Sequence, residues 1–333
     1  MDRDVRDTVD VQLLENWQRG MPIVRQPFAE MSKALGIDEP ALLERLKRLQ
    51  ALGIIARVGG VVRPNTLGAS TLAAVAAPDL EVDDVAGIIA AEPGINHVYL
   101  RENDWNLWFV ATGPNRDDVD ATLQRISEKT GRHVLDLRLE KPYHIDLGFA
   151  LTGAERQQHE LQSTAGLQKY EPQPGDRELA QCLTNGLPLV TRPFEAIAAQ
   201  VDRPEDEVIA RVNELCDVSV FPRIGVIVRH RALGWRSNAM VVWDIPANDV
   251  DRAGAALAAA PGVNLCYRRT RHPREWPFNL YCMIHAKTRD EALRLLQHAS
   301  ESAGLEHTPR LILFSLRCFK QTGALVAPDK EAA

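Results

Sequence analysis

The chain has 333 residues, more than a single hydrophobic core usually serves, and at 45% hydrophobic and 25% charged it has the composition of an ordinary folded protein. A formal net charge of −6 argues against a polyanion as its main partner. Five cysteines (Cys182, Cys216, Cys266, Cys282 and Cys318) all fall in the second half, with no CxxC and no zinc-type spacing, which fits free thiols in a reducing compartment rather than a disulfide framework. The opening MDRDVRDTVD is charged and no apolar run approaches the ~18 residues of a membrane span, so a cytoplasmic protein without a signal peptide is expected.

In chain order, Leu13, Leu14 and Trp17 lie at helical spacing, and Phe28, Met31, Ala34 and Leu35 form a second apolar stripe. Leu42, Leu43, Leu46 and Leu49 form a third, opened by Asp38 and stopped by Gly53. A β-ribbon over 54–62 follows, with Gly59-Gly60 placed for a tight turn, so three helices and a wing predict a winged helix-turn-helix. The next ninety or so residues alternate as strand 72–77, helix 83–91, strand 96–101, strand 106–112, helix 117–128 and strand 134–139, a ferredoxin-like βαββαβ order.

The same order then recurs. Gly20-Met21-Pro22-Ile23-Val24 returns as Gly186-Leu187-Pro188-Leu189-Val190, displaced by 166 positions, and the same displacement carries Arg57-Val58-Gly59 onto Arg223-Ile224-Gly225. Pro93-Gly94-Ile95-Asn96 matches Pro261-Gly262-Val263-Asn264, and Asn106-Leu107-Trp108 matches Asn279-Leu280-Tyr281. So long a registered match means duplication. The second copy predicts strands over 239–245, 263–269, 278–286 and 311–316 and helices over 250–260 and 289–299. The expected fold class is α+β, a tandem repeat of winged helix-turn-helix plus ferredoxin-like domain. The units are 10–68 and 69–150, a polar Pro- and Gly-bearing linker 151–175, then 176–234 and 235–323, with a frayed tail after Gly323.

A winged helix followed by βαββαβ resembles the Lrp/AsnC regulators, so DNA binding has to be weighed. A reading helix offers small polar or basic groups in its first turn. Here the third helix begins Asp38-Glu39-Pro40 in one copy and Asp202-Arg203-Pro204-Glu205-Asp206-Glu207 in the other, and carboxylates there repel phosphate. Arg45, Lys47, Arg48 and Arg211 lie beyond that turn and fit a solvated face. The winged helices read as scaffolds, and DNA is not the expected partner.

Alternation puts His97, Tyr99 and Arg101 on one face of their strand and Val98 and Leu100 on the other. In the second copy Leu265, Tyr267 and Arg269 occupy the matching face. The Tyr-x-Arg recurs; the histidine does not. Each motif precedes an aromatic stretch containing Trp105 and Trp108, or Trp276 and Tyr281. Large rings near paired arginines suit a flat polycarboxylated ligand, the rings stacking on its faces and the guanidinium forks holding its carboxylates. The wing adds Arg57 and Arg63, with Arg223 and Arg229 at the equivalent positions, for which plain surface placement is the alternative. Arg268, Arg271, His272 and Arg274 form a basic loop that either closes over an acidic substrate or is simply solvated. No nucleotide-binding glycine pattern, HExxH, GxSxG or acidic metal cluster is present, which argues against hydride transfer, phosphoryl transfer and metallohydrolase chemistry.

With Pro27-Phe28 and Pro193-Phe194, Arg57-Val58-Gly59 and Arg223-Ile224-Gly225, His97-Val98-Tyr99-Leu100-Arg101, Cys266-Tyr267-Arg268-Arg269 and the ending Arg317-Cys318-Phe319-Lys320-Gln321-Thr322-Gly323, the chain resembles the sirohaem decarboxylases, Lrp/AsnC-like proteins of the alternative haem and nitrite-reductase-haem pathways. The match spans 10–323. It departs from the family at Leu265, where histidine is common. The resemblance implies loss of carbon dioxide from two acetate side chains of sirohaem, giving 12,18-didecarboxysirohaem, with no cofactor beyond the iron of the substrate itself. It implies His97 as proton donor or axial ligand of that iron, Tyr99 as helper and Arg101 as orienter, with Arg57, Arg63, Trp105, Trp108, Arg223, Arg229, Tyr267, Arg269 and Trp276 binding substrate. It further implies a homo-oligomer or association with related subunits. The alternatives are a ligand-responsive transcriptional regulator of the same fold and a tetrapyrrole-binding partner that needs another subunit.

Overall fold

A computed structural model describes residues 7–145 and 170–328. The first half opens with α1 (Thr8–Asn16), α2 (Pro27–Leu35) and α3 (Glu39–Ala51). Local chemistry sets their starts: the Asp7 and Asp38 carboxylates accept from the N–H groups of Val9 and Ala41, and Pro27 occupies the first turn of α2. Then come β1 (Ile55–Val61), β2 (Ala69–Val75), α4 (Val82–Ala91), β3 (Ile95–Arg101), β4 (Leu107–Gly113), α5 (Arg116–Thr130) and β5 (Val134–Ile145). The second half repeats the order as α6 (Asp176–Asn185), α7 (Pro193–Val201), α8 (Glu205–Asp217), β6 (Arg223–Val228), β7 (Ser237–Trp243), α9 (Val250–Ala259), β8 (Val263–Arg269), β9 (Leu280–Ala286), α10 (Arg289–Ser302) and β10 (Arg310–Gln321).

The two helical units share one core, in which Leu13, Phe28 and Leu46 cluster with Leu183, Phe194 and Val212. The ribbon expected over 54–62 is instead a single strand. β1 runs straight through Gly59-Gly60 and pairs antiparallel with β6 of the other half, Gly59 opposite Gly225 and Val61 opposite Arg223. The glycines allow close approach rather than a turn: a Cβ on Gly59 would lie 2.4 Å from the Leu183 carbonyl oxygen, and one on Gly225 2.4 Å from that of Trp17. Neither copy builds a hairpin wing here. The helix cations are committed within the fold. Arg45 pairs with Asp7 and Asp10, Arg48 with Asp10, Lys47 with Glu44, and Arg211 with Asp176 and Glu214.

The other eight strands close into a barrel in the order β10-β3-β4-β2-β5-β8-β9-β7. Closure depends on β5 and β10, which run 12 residues each and so far outreach the strands predicted over 134–139 and 311–316. The first part of β5 pairs with β2, and the rest crosses to β8 of the other repeat, ending with Ile145 opposite Leu265. β10 likewise leaves β7 for β3, ending with Gln321 opposite His97. These extensions are mostly half-buried, so the apolar alternation that marks a strand stops before the strand does.

Each sheet turns one face to its helices, with Val98 and Phe109 under α4 and α5 and with Cys266 and Ile284 under α9 and α10. The opposite faces meet inside the barrel, where Trp108, Leu137, Met240, Tyr281 and Leu313 pack together. The tail expected to fray is tied down: Val326 and Ala327 are buried, and the N–H groups of Val326 and Leu325 donate to Gln181 Oε1 (2.8 Å) and Thr112 Oγ1 (2.9 Å). Most of the expected linker, and the last five residues, lie outside the described residues.

Candidate active site

A cavity of about 370 Å³ lies between the β1–β6 ribbon and the inner face of the barrel. Strand alternation aims His97, Tyr99 and Arg101 of β3 into it while Val98 packs on the helix side. Leu265, Tyr267 and Arg269 of β8 face the same cavity, with Cys266 on the helix side. Two faces that look like separate sites in the sequence therefore converge on one chamber.

The recurring Tyr-x-Arg is a recurring device. Arg101 Nη1 donates to the Leu313 carbonyl (3.0 Å), with the guanidinium 5.5 Å from the centre of the Tyr99 ring. Arg269 Nη1 donates to the Leu137 carbonyl (2.9 Å), 5.2 Å from the Tyr267 ring. In each case a carbonyl of a long barrel-closing strand aims the fork and a tyrosine face supports it.

Arg57, Arg63 and Arg223 join them, so five arginines line the chamber and no Asp or Glu does, among the described residues. Elsewhere Arg25, Arg116 and Arg289 each find a carboxylate. Among the described residues Arg57 and Arg101 donate only to neutral oxygens, Arg57 to the Gly60 carbonyl at 3.3 Å. Burial lowers both to about 10, leaving them charged at neutral pH, and it shifts Arg63 and Arg269 the same way. Buried positive charge is costly when nothing offsets it, so Arg57 and Arg101 make the chamber favourable to an anionic ligand.

His97 is half-buried on the chamber wall, its ring stacked 6.2 Å from that of Tyr99 and its Nδ1 without a hydrogen-bond partner among the described residues. Burial, and then the charge of Arg57, depress its pKa to about 4, so the imidazole is neutral at pH 7. Burial also raises the Tyr99 hydroxyl above the ordinary range. A carboxylate brought beside His97 reverses the local field and raises its pKa towards one useful for proton transfer.

Sequence reasoning missed two histidines. His230, just after β6, and His285 on β9 line the same chamber with rings 4.8 Å apart, edge to face. His230 is held at about 4 by burial first, then by Arg231, His97 and Arg101. Asn238 joins His285 to Arg101, its Nδ2 2.5 Å from His285 Nε2 and its Oδ1 3.1 Å from Arg101 Nη1. All three histidines therefore gather at the Arg101 end. At the other end the repeat-equivalent positions hold Leu265, Pro64 and Thr112. Carrying the comparison of repeats through to single departures was the signal that could have found them.

Three of the residues expected at the site do not line the chamber. Trp276 is buried in the inner apolar cluster, 5.1 Å from Trp108, and its indole N–H donates to the Tyr281 hydroxyl (2.7 Å). Trp105 sits edge-on to His133, 6.1 Å away. Arg229 is exposed, because Val228 and His230 on either side of it take the inward positions. Trp108, Tyr267 and Tyr281 are the large rings that do face the chamber from this set. In the basic loop, Arg268 and Arg271 pair with Glu140 and Asp244.

An AsnC-like ligand binding domain model matches residues 66–143 and 232–320, and a siroheme decarboxylase NirDL-like HTH domain model matches 10–55 and 176–221. The chain is 48% identical over 321 residues to the siroheme decarboxylase NirDL subunit of Paracoccus denitrificans, covering 96% of this chain and 98% of that protein. The NirL and NirD subunits of Stutzerimonas stutzeri are 42% and 43% identical to it, over 45% and 44% of this chain and 89% and 95% of their own lengths. A crystal structure of the siroheme decarboxylase NirDL in co-complex with an iron-uroporphyrin III analogue superposes with a TM-score of 0.64 at 25% identity, covering 92% of this chain and 90% of that one.

Proposed function

The chain belongs to the sirohaem decarboxylase family, and we propose that it decarboxylates sirohaem in the chamber shared by its two halves. The observation that carries the reading is the chamber lined by five arginines and no carboxylate. Sirohaem is a flat iron tetrapyrrole ringed with acetate and propionate carboxylates, which would supply countercharge to Arg57 and Arg101. The relative crystallised with an iron-uroporphyrin III analogue supports a ligand of that class. The internal pairing of the cations on α3 and α8 favours the enzyme over the regulator.

In each turn of the reaction the bond between the acetate methylene and its carboxylate breaks, and carbon dioxide leaves. The electron pair passes into the conjugated macrocycle, and one proton added at the methylene carbon makes a methyl group. Two such events give 12,18-didecarboxysirohaem. No cofactor besides the iron tetrapyrrole of the substrate is needed. His97, its pKa raised by the bound carboxylates, delivers the proton, with Tyr99 beside it as helper. Arg101 orients neighbouring carboxylates without gripping the one that departs, since stabilising the departing anion would oppose its loss. Arg57, Arg63, Arg223 and Arg269 hold the remaining carboxylates, while Trp108 and Tyr267 wall the ring. In its competing role His97 ligates the substrate iron, and the iron spectrum of a His97 variant separates the two.

Because β5 and β10 use both sheet edges within one chain, a homo-oligomer or a complex with related subunits would engage other surfaces. Among the described residues no helix is long and apolar enough to cross a membrane, and the free cysteines go with a cytoplasmic location. The reading is tested by absorbance titration with sirohaem and with its carboxylate methyl esters. The free acid should bind at least ~100-fold more tightly, given the several kcal/mol at stake in buried charge pairs. Equal binding of the ester would remove the basis of the proposal.

A further inference from the structure

We propose that Asn264, His285 and Asn238 of the second repeat form a positioning chain that locks the Arg101 fork of the first, making the Arg101 end of the chamber the reacting end. This rests on the decarboxylase reading. Donors and acceptors fit together in only one sense. A guanidinium only donates, so Asn238 turns its Oδ1 to Arg101 Nη1 at 3.1 Å. Its Nδ2 then faces His285 Nε2 at 2.5 Å, which has to accept. His285 therefore carries its proton on Nδ1 and donates it to Asn264 Oδ1 at 3.2 Å. That oxygen also takes the backbone N–H of His285, also at 3.2 Å, pinning the ring to its own strand. Asn264, Asn238, His285 and Arg101 are 0%, 4%, 4% and 5% exposed. Turning any of them breaks at least one of these buried hydrogen bonds, so the fork is held in one place beside Tyr99.

The opposite end lacks this chain. Arg269 keeps its carbonyl bond and its tyrosine. Ser70 opposite Thr112, across β2 and β4, repeats the place of Asn238 opposite His285, across β7 and β9. The Thr112 hydroxyl is engaged with the Gly94 carbonyl and the Leu325 N–H, and the Ser70 hydroxyl with Asn65. The Arg269 fork is left to follow its ligand; the Arg101 fork is not. Where one acetate reacts while other carboxylates are merely held, a fixed fork belongs beside the reacting group, because misplacement by an ångström costs rate steeply. An adaptable fork suits the holding end.

Asn238→Ser and His285→Thr install at the Arg101 end the residues the fold already carries at the other. In single-turnover reactions with sirohaem, each variant is expected to lose ~10–100-fold in decarboxylation rate. Affinity measured by absorbance should change less than ~3-fold, and the double variant should be no slower than the worse single, because one break opens the whole chain. His285→Gln, which keeps a donor and an acceptor, should recover most of the rate, and it still decides the matter if the threonine variant does not fold. Wild-type rates in the serine and threonine variants, or a glutamine variant as slow as the threonine one, overturn the proposal. A wild-type chain that leaves sirohaem intact overturns instead the decarboxylase reading beneath it.

Discussion

Replacing His97 with leucine, the residue at the repeat-equivalent position 265, separates chemistry from stability in one variant. In the folded chain burial and Arg57 hold His97 at about 4, against 6.5 for an ordinary histidine. The unfolded chain therefore takes up this proton first on acidification. Stability is whole above pH ~6.5, declines as the unfolded state protonates, and stops declining near pH 4. The drop from 6.5 to about 4 corresponds to at most about 3 kcal/mol of acid-side loss. His97→Leu removes that loss, so relative to wild type the variant should gain up to about 3 kcal/mol between pH 7 and pH 4. His230, also held at about 4, still titrates, so the acid slope flattens without vanishing. Decarboxylation should meanwhile fall ~10²–10⁴-fold, the usual contribution of a positioned proton donor, with sirohaem still bound. Urea unfolding at a series of pH values and single-turnover kinetics read the two effects separately. Identical pH–stability curves would show that His97 is not held neutral by the fold, and a wild-type rate would remove it from the chemistry.

Three further outcomes follow from the packing. Gly59→Ala or Gly225→Ala drives a Cβ to 2.4 Å from a carbonyl oxygen, so chemical denaturation should show a loss of about 1–3 kcal/mol; unchanged stability would contradict the ribbon that joins the repeats. Arg269→Met, at the holding end, should weaken sirohaem binding ~10–100-fold while the rate at saturation stays within a few-fold, and a variant that binds normally but turns over slowly would move Arg269 into the reacting end. Trp276→Ala should cost about 3–5 kcal/mol in unfolding experiments and leave the bound sirohaem spectrum unchanged, whereas a spectral change at full stability would restore its expected stacking role.

The helical units were legible because their signals are local. Asp38 caps α3, Pro27 opens α2, and the apolar stripes need nothing beyond the helix period. The ribbon was misread because Gly59-Gly60 in a strand-like run means either a turn or a close approach, and the carbonyl of Leu183 that decides between them lies more than a hundred residues away. β5 and β10 were read short for a similar reason. Their far halves pair with the other repeat, and in β5 Lys141-Pro142-Tyr143 breaks the alternation before the strand ends. At the site, His97, Tyr99 and Arg101 could be read because one strand presents them with period two and the Tyr-x-Arg recurs. Asn238 and His285 are not repeated in the first copy and sit on β7 and β9, which only barrel closure brings round to β3, while His230 follows β6 of the separate ribbon that faces the chamber. Trp276 looked like a ligand platform because a ring beside an arginine has the same composition whether it faces a chamber or a core.

The central claim is that this chain by itself removes carboxyl groups from sirohaem. Purified protein incubated anaerobically with sirohaem, with no other protein present, and followed by mass spectrometry tests it directly. The expected result is successive loss of two carbon dioxide units from the tetrapyrrole, slowed at least ~100-fold in His97→Leu. Sirohaem that binds and is recovered intact, or that is lost equally with the variant, would contradict it.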